Sequence, residues 1–216
     1  MPVTILGIDP GSRKTGYALL EIRGGAVKAL VCDTLDLNSH IDPHQRLKVI
    51  YEHIEMLVDT YRPDCCAIET PVYGKDPLAM LKLGRAQASV IMAVLHRNIP
   101  LFEYYPKAVK KSVTGNGNAS KTQVAYMIAK LVQTTGTELS HDASDALAIA
   151  WCHYQKLSGT ADTESSVPTT PSNRSKNSWT AFVSRHPDRI REQKPPASRK
   201  VATTDTLKGK ANTDTD

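Results

Sequence analysis

Two apolar runs in this chain each end in a carboxylate, and this repeated feature restricts the fold more than any other. Val3 to Ile8 runs into Asp9, and "CCAI", Cys65 to Ile68, runs into Glu69. Both runs read as short buried strands. An ionised acid at the end of a buried strand is stable only beside something positive: a basic side chain, a metal, or a metal-bound phosphate. A Pro-Gly turn follows Asp9 and leads into a second apolar run, Thr15 to Ile22. Gly24-Gly25 then signals a hairpin into a third, Ala26 to Leu37. Three consecutive antiparallel strands are therefore expected to open the domain.

Helical periodicity takes over at Leu47, Ile50, Tyr51, Ile54, Leu57, Val58 and Tyr61, and Pro63 stops it. After the Cys65–Glu69 strand and the loop "TPVYGKDP", a second helix is expected from about Leu78 to Arg97. Leu81, Ala88, Ile91, Met92 and Leu95 make its apolar face. Gly84 inside this helix costs about 1 kcal/mol relative to alanine, which a close helix–helix approach, within the fold or across a dimer, would explain. "PLFEYY", Pro100 to Tyr105, reads as a fifth strand. The loop "GNGNASK" leads into a helix carrying Val124, Met127, Ile128 and Leu131, with Ser120 or Asn118 as its cap. The last helix begins at "HDASDALAIAWCHY", where Asp142 suits a cap or first-turn position. Ala143, Ala146, Leu147, Ala150, Trp151 and Tyr154 form its apolar face. The order is three strands, helix, strand, helix, strand and two helices, a mixed α/β layer architecture.

Pattern fades after Leu157. "SGTADTESSVPTTPSNRSKNS" is rich in Ser, Thr, Pro and Asn, a composition that cannot bury enough apolar surface to offset its ordering entropy. The expected organisation is one domain over 1–157 and a disordered basic tail over 158–216, with ten basic and seven acidic residues in the tail. The net charge of +5 mildly favours polyanionic partners. Cys32, Cys65, Cys66 and Cys152 show no C-x-x-C spacing and read as reduced thiols of a cytoplasmic protein. No secretory signal is evident. The longest nearly apolar run, about Ala86 to Leu95, is too short to span a bilayer.

Four acids carry the chemistry. Asp142 and Asp145, three apart at a helix start, share one helix face. If the strands of Asp9 and Glu69 are neighbours, the helix can deliver its pair to the point where they end. Each acid alone also fits a plain role: a turn former, a partner for Lys75, a cap, a solvated helix residue. Gathered, they repel and raise one another's pKa values unless cations sit among them. Hard oxygen ligands suit Mg²⁺ or Mn²⁺, and two such ions would activate water and stabilise a leaving oxygen in phosphodiester cleavage.

"GIDPGSRKTGYALLE", "AIETPVYGKD", "LKLGRAQA", "VKKSVTGNGNASKTQV" and "HDASDALAIA" together resemble the RuvC family of Holliday-junction resolving endonucleases, over about residues 3–156. The resemblance implies an RNase H-like fold, with a mixed five-stranded sheet flanked by helices. It implies a homodimer that nicks opposed strands of a four-way DNA junction symmetrically, and a partnership with the RuvA–RuvB branch-migration complex. Family catalytic and metal-binding acids fall on Asp9, Glu69, Asp142 and Asp145, with Mg²⁺ as cofactor, Mn²⁺ substituting, and two ions per active site. Lys110 and Lys121 match DNA-contacting positions, and Lys111 adds charge beside them. The family's base-stacking aromatic, three positions after the glutamate, is Val72 here, with Tyr73 next to it as an alternative stacker. His141, beside Asp142, is a weaker candidate for assisting catalysis. Arg13 and Lys75 are further basic candidates. Two rivals remain on sequence grounds: an ATP-binding fold of the actin type, which shares the "GIDPGSRKTG" loop pattern, and a junction-binding scaffold without catalysis.

Overall fold

The computed structural model describes residues 2–39, 42–72, 74, 76–134 and 139–159, and the backbone of 166–167. These residues fall in one compact unit, Met1–Pro171. Its elements are β1 (Val3–Asp9), β2 (Lys14–Arg23), β3 (Ala26–Asp36), α1 (Pro43–Tyr61), β4 (Cys65–Glu69), α2 (Pro77–His96), β5 (Leu101–Tyr104), α3 (Pro106–Thr114), α4 (Lys121–Leu131), α5 (His141–Leu157) and β6 (Ser166–Val167). The sheet order is β3-β2-β1-β4-β5-β6. The first three strands pair antiparallel, as expected. β1–β4 and β4–β5 are parallel.

Two apolar clusters cover the two faces of the sheet. On one, Leu6, Ile8, Leu19, Cys66 and Ile68 pack with α1 and α2. On the other, Ile5, Ala18, Leu20, Cys65 and Ala67 pack with α3, α4 and α5. The alternation of strand side chains makes this division. It also aims the functional acids: Asp9 follows Ile5 and Gly7, and Glu69 follows Cys65 and Ala67, so both carboxylates lie on the α5 face.

α5 is the central helix of that face. From Ala146 to His153 every residue is buried, and the chain lies directly on the sheet. Ala18, Gly7 and Ala67 are register partners across β2, β1 and β4, a lane of small residues under the helix. A Cβ on Gly7 would collide with the Ala146 carbonyl and come within 2.8 Å of the Ala150 Cβ. A Cβ on Gly16 would collide with the Asp142 carbonyl. These two glycines set how closely the helix, and the acids on its first turn, approach the strands.

Four sequence expectations need correction. First, α3 was not expected. Its nine residues carry three lysines, and only Val109 and Val113 are buried, too few to register as periodicity. Its start signal is Pro106 at the first helical turn, where a missing N–H costs nothing. Gly115, at φ 75, closes it. Second, α2 turns the opposite way. Its buried residues are Ala86, Val90, Ala93 and Val94, whereas Leu81, Met92 and Leu95 of the expected inner face are 49%, 58% and 50% exposed. The helix carries apolar residues on two sides, with Lys82, Arg85, Ser89 and His96 between them, so periodicity could not choose between two stripes. An 18-residue window of this 20-residue helix reaches a mean hydropathy of 1.4, enough by length and composition alone to cross a membrane, although the expected apolar run, Ala86 to Leu95, is by itself too short. Third, nothing lies within 4 Å of a Cβ placed on Gly84, so of the two expected explanations the approach within the fold is not found among the described residues, and the approach across a dimer is left. Fourth, a sixth strand joins the five expected: β6 pairs antiparallel with β5 through Glu103–Val167 and Tyr104–Ser166, using the edge that β5 leaves open. Apart from these two residues and the Ser158–Gly159 turn, the expected tail lies outside the described residues, as do Tyr73 and Lys75.

Candidate active site

The β1–β4 register ends with Ile8 beside Ile68, so Asp9 and Glu69 finish adjacent parallel strands side by side. The condition for the acids to meet is therefore satisfied. They line one cleft of about 210 Å³ together with Pro106, Val109, Lys110, Lys121, Val124 and Asp145. Asp142 is not on that lining, yet its charge acts on Asp9, which places it at the margin.

Each element delivers its side chain for a local reason. Ser140, not Asp142, caps α5, accepting from the Ala143 N–H at 3.1 Å. Asp142 therefore sits in the first turn, where the helix dipole favours an acid. β3 anchors the same turn: Thr34 and Ser140 hydroxyls lie 2.6 Å apart, and the Cys32 thiol donates to the Ala143 carbonyl at 3.2 Å. α3 is tied to α5 by Trp151 Nε1 donating to the Ser112 carbonyl at 3.2 Å, and this brings Lys110 to the cleft. Ser120 and Gln123 form a capping box that starts α4 at Lys121.

Electrostatics follow from the crowding. Burial, then the Asp145 and Asp142 charges, push the Asp9 carboxyl up to about 7, with Lys121 opposing. Burial, then Asp9 and Asp145, push Glu69 up to about 7, with Lys121 and Lys110 opposing. Lys121 Nζ donates to Asp145 Oδ2 at 3.0 Å, and that hydrogen bond raises the lysine's own pKa. The acids thus sit where a positive partner is required, and their oxygens are the donors hard divalent cations prefer. Among the described residues no three His, Cys, Asp or Glu side chains converge tightly enough to form a ligating group in this arrangement. The donor chemistry fits such a cation; the present side-chain positions favour the lysine.

Of the other residues singled out from sequence, Lys111 is exposed and off the cleft lining, Val72 is 57% exposed, and His141 opens α5 at an exposed position. Sequence reading missed Pro106, Val109 and Val124 as cleft walls, and Gly16 as the residue that seats α5. The signal available for the first two was the proline at a helix start; nothing local marked Gly16.

A sheet whose adjacent parallel strands end in acids, met by a third acid from a helix and by rim lysines, defines a metal-dependent nuclease of the RNase H-like class. The family described as "Crossover junction endodeoxyribonuclease RuvC" matches residues 5–153. A relative of that name in Salinibacter ruber is 46% identical, the match covering 87% of this chain and 99% of the relative. One in Cytophaga hutchinsonii is 38% identical over 87% of this chain and 88% of its own. Among solved structures, T. thermophilus RuvC in complex with a Holliday junction substrate superposes with a TM-score of 0.67 at 25% identity, covering 74% of this chain and 98% of that one. The fold is shared with a yeast mitochondrial Holliday junction resolvase at a TM-score of 0.54 and 16% identity, covering 71% of this chain and 79% of that one. The chain belongs to the RuvC family of crossover junction endodeoxyribonucleases.

Proposed function

We propose that this chain cuts four-way DNA junctions by paired, symmetric nicks as a homodimer, using Asp9, Glu69, Asp142 and Asp145 as catalytic carboxylates. The convergence of Asp9, Glu69 and Asp145 with Lys110 and Lys121 in one cleft carries the reading. The four acids would hold Mg²⁺, with Mn²⁺ as a substitute and two ions per active site. Such ions supply a water nucleophile at neutral pH and stabilise the charge on a leaving oxygen.

The protein's own groups do the rest. Lys110 on α3 and Lys121 at the start of α4 hold the phosphate of the bound strand over the carboxylates, and the first N–H groups of α4 favour the same anion. Lys111 extends the positive rim. Val109 and Val124 form apolar walls that exclude water from one side of the reacting phosphate. Tyr73, beside Val72, is the aromatic available to stack on a junction base.

Dimerisation is supported by α2. Leu78, Leu81, Ala88, Met92 and Leu95 are all exposed, at spacings of three, seven, four and three residues that draw one seam along the helix. Gly84 lies beside this seam with open space over it, as a second helix approaching closely would require. Two such subunits match the two-fold character of a four-way junction. Family membership supports the RuvA–RuvB complex as a partner, and the four free cysteines suit a reducing cytoplasm.

The test is a divalent-dependent nicking assay on a synthetic four-way junction with mapped cut sites. Asp9→Asn is expected to bind the junction and leave it uncut. Normal cleavage by that variant would refute the assignment of Asp9. Nucleotide hydrolysis without nicking would instead favour the actin-type reading, and binding without any nicking the scaffold.

A further inference from the structure

Lys121 holds an unusual place for a DNA-contacting lysine. Its ammonium is committed to Asp145 at 3.0 Å, and its charge acts on Asp9 and Glu69 as well. It is therefore a cation located where the three cleft acids meet. Lys110, which lines the same cleft, acts on Glu69 through space. The Lys121 side chain is 71% exposed, while Asp145 is only 20% exposed. The acid is fixed on α5, whereas the lysine is free to swing. An ion pair exposed on one side is weak enough to exchange partners.

We propose that Lys121 is a two-position latch. Without DNA its ammonium neutralises Asp145 and keeps the cleft acids short of a metal-ligating set. With DNA bound, a strand phosphate takes the ammonium and leaves Asp145 to a divalent cation. Both states conserve charge pairing: a lysine–carboxylate pair becomes a lysine–phosphate pair and a carboxylate–metal pair. The same lysine then links substrate engagement to metal loading, so that the full complement of ions assembles only on bound substrate. This rests on the four carboxylates being the metal site, as proposed above.

The latch is read in the full-length protein without DNA, by titrating Mn²⁺ and following the free ion by electron paramagnetic resonance. Lys121→Met is expected to tighten Mn²⁺ binding about tenfold, equivalent to ~1.4 kcal/mol. Lys110→Met, which removes an equal charge from the same cleft, is expected to change it less than about threefold. Equal shifts in the two variants would overturn the latch, because removal of any nearby positive charge would then suffice. No shift in Lys121→Met would also overturn it. Asp9→Asn, run alongside, separates the two failures. If it loses Mn²⁺ while Lys121→Met behaves as wild type, the metal site stands and the latch falls. If it binds as wild type does, the metal-site reading falls with it.

Discussion

Removing the cleft carboxylate of Asp9 should stabilise this protein when no metal is present, and the size of the effect follows from the cleft. Asp9 is pushed from its ordinary 3.8 to about 7, chiefly because burial disfavours its charge. The folded state therefore binds a proton more tightly than the unfolded chain does. The stability this contributes is complete below about pH 4 and is lost as pH rises through about 7. At pH 8 the metal-free fold carries an ionised Asp9 that it would rather keep protonated. A shift of about 3 units at ~1.36 kcal/mol each sets a ceiling of roughly 4 kcal/mol. The carboxyl is only partly buried and shares its repulsion with Glu69 and Asp145, so screening brings the expected penalty to about 1–2 kcal/mol. Asp9→Asn removes it. In EDTA at pH 8, thermal unfolding of that variant should occur about 2–6 °C above wild type, on the scale of a domain this size. The gap should close near pH 4. It should also narrow at pH 8 in Mg²⁺, which binds the folded wild type in preference to the variant. A variant melting at or below wild type at pH 8 in EDTA, or a gap unchanged at pH 4, would refute this account of the cleft.

Gly16→Ala sets a Cβ against the Asp142 carbonyl, and because β2 and α5 yield only at a cost, it should lower the unfolding temperature. It should also lower cleavage by about a hundredfold or more, the effect of displacing the cleft acids by around 1 Å; calorimetry and the nicking assay read the two losses. Met92→Glu places a charge in the proposed α2 seam. Sedimentation should show the dimer weakened by about a hundredfold, equivalent to ~3 kcal/mol, with nicks on the two strands no longer paired in time. His153 accepts or donates a 2.6 Å hydrogen bond with the buried Tyr104 hydroxyl, and burial holds its pKa down at about 4. Its contribution is present above the ordinary value of 6.5 and lost as pH falls through about 4. His153→Asn, which retains a polar atom near the Nδ1 position, should flatten that acid limb in pH-dependent unfolding.

How much of this was legible before the structure varies with how local the signal is. The strands ending in Asp9 and Glu69 were, because an acid closing a buried run is visible within seven residues. The first turn of α5 was equally plain from "HDASD". α3 was not: its lysines outnumber its buried valines, and a nine-residue amphipathic helix seldom exceeds the noise of composition. α2 was legible as a helix but not in its orientation, since two apolar stripes compete and only packing against the sheet chooses between them. The roles of Gly7 and Gly16 and the pairing of Lys121 with Asp145 were out of reach. They depend on where α4 and α5 cross the sheet, which residues more than twenty positions apart decide together.

That crossing also explains how the cleft tolerates its own charge. Burial and mutual repulsion push Asp9 and Glu69 up to about 7 even with the Lys121 ammonium beside them, so their ionised forms work against the fold as pH rises through that value. The elements that hold it are those least able to yield. α5 is buried on nearly every side, seated on Gly7 and Gly16, and its first turn is fixed by Ser140, Thr34 and Cys32. β1 lies between β2 and β4 in the middle of the sheet. Repulsion among Asp9, Glu69 and Asp145 consequently cannot relax by moving backbone. It relaxes by protonation or by the Lys121 ammonium paired with Asp145, and, on the function proposed above, by a bound divalent cation.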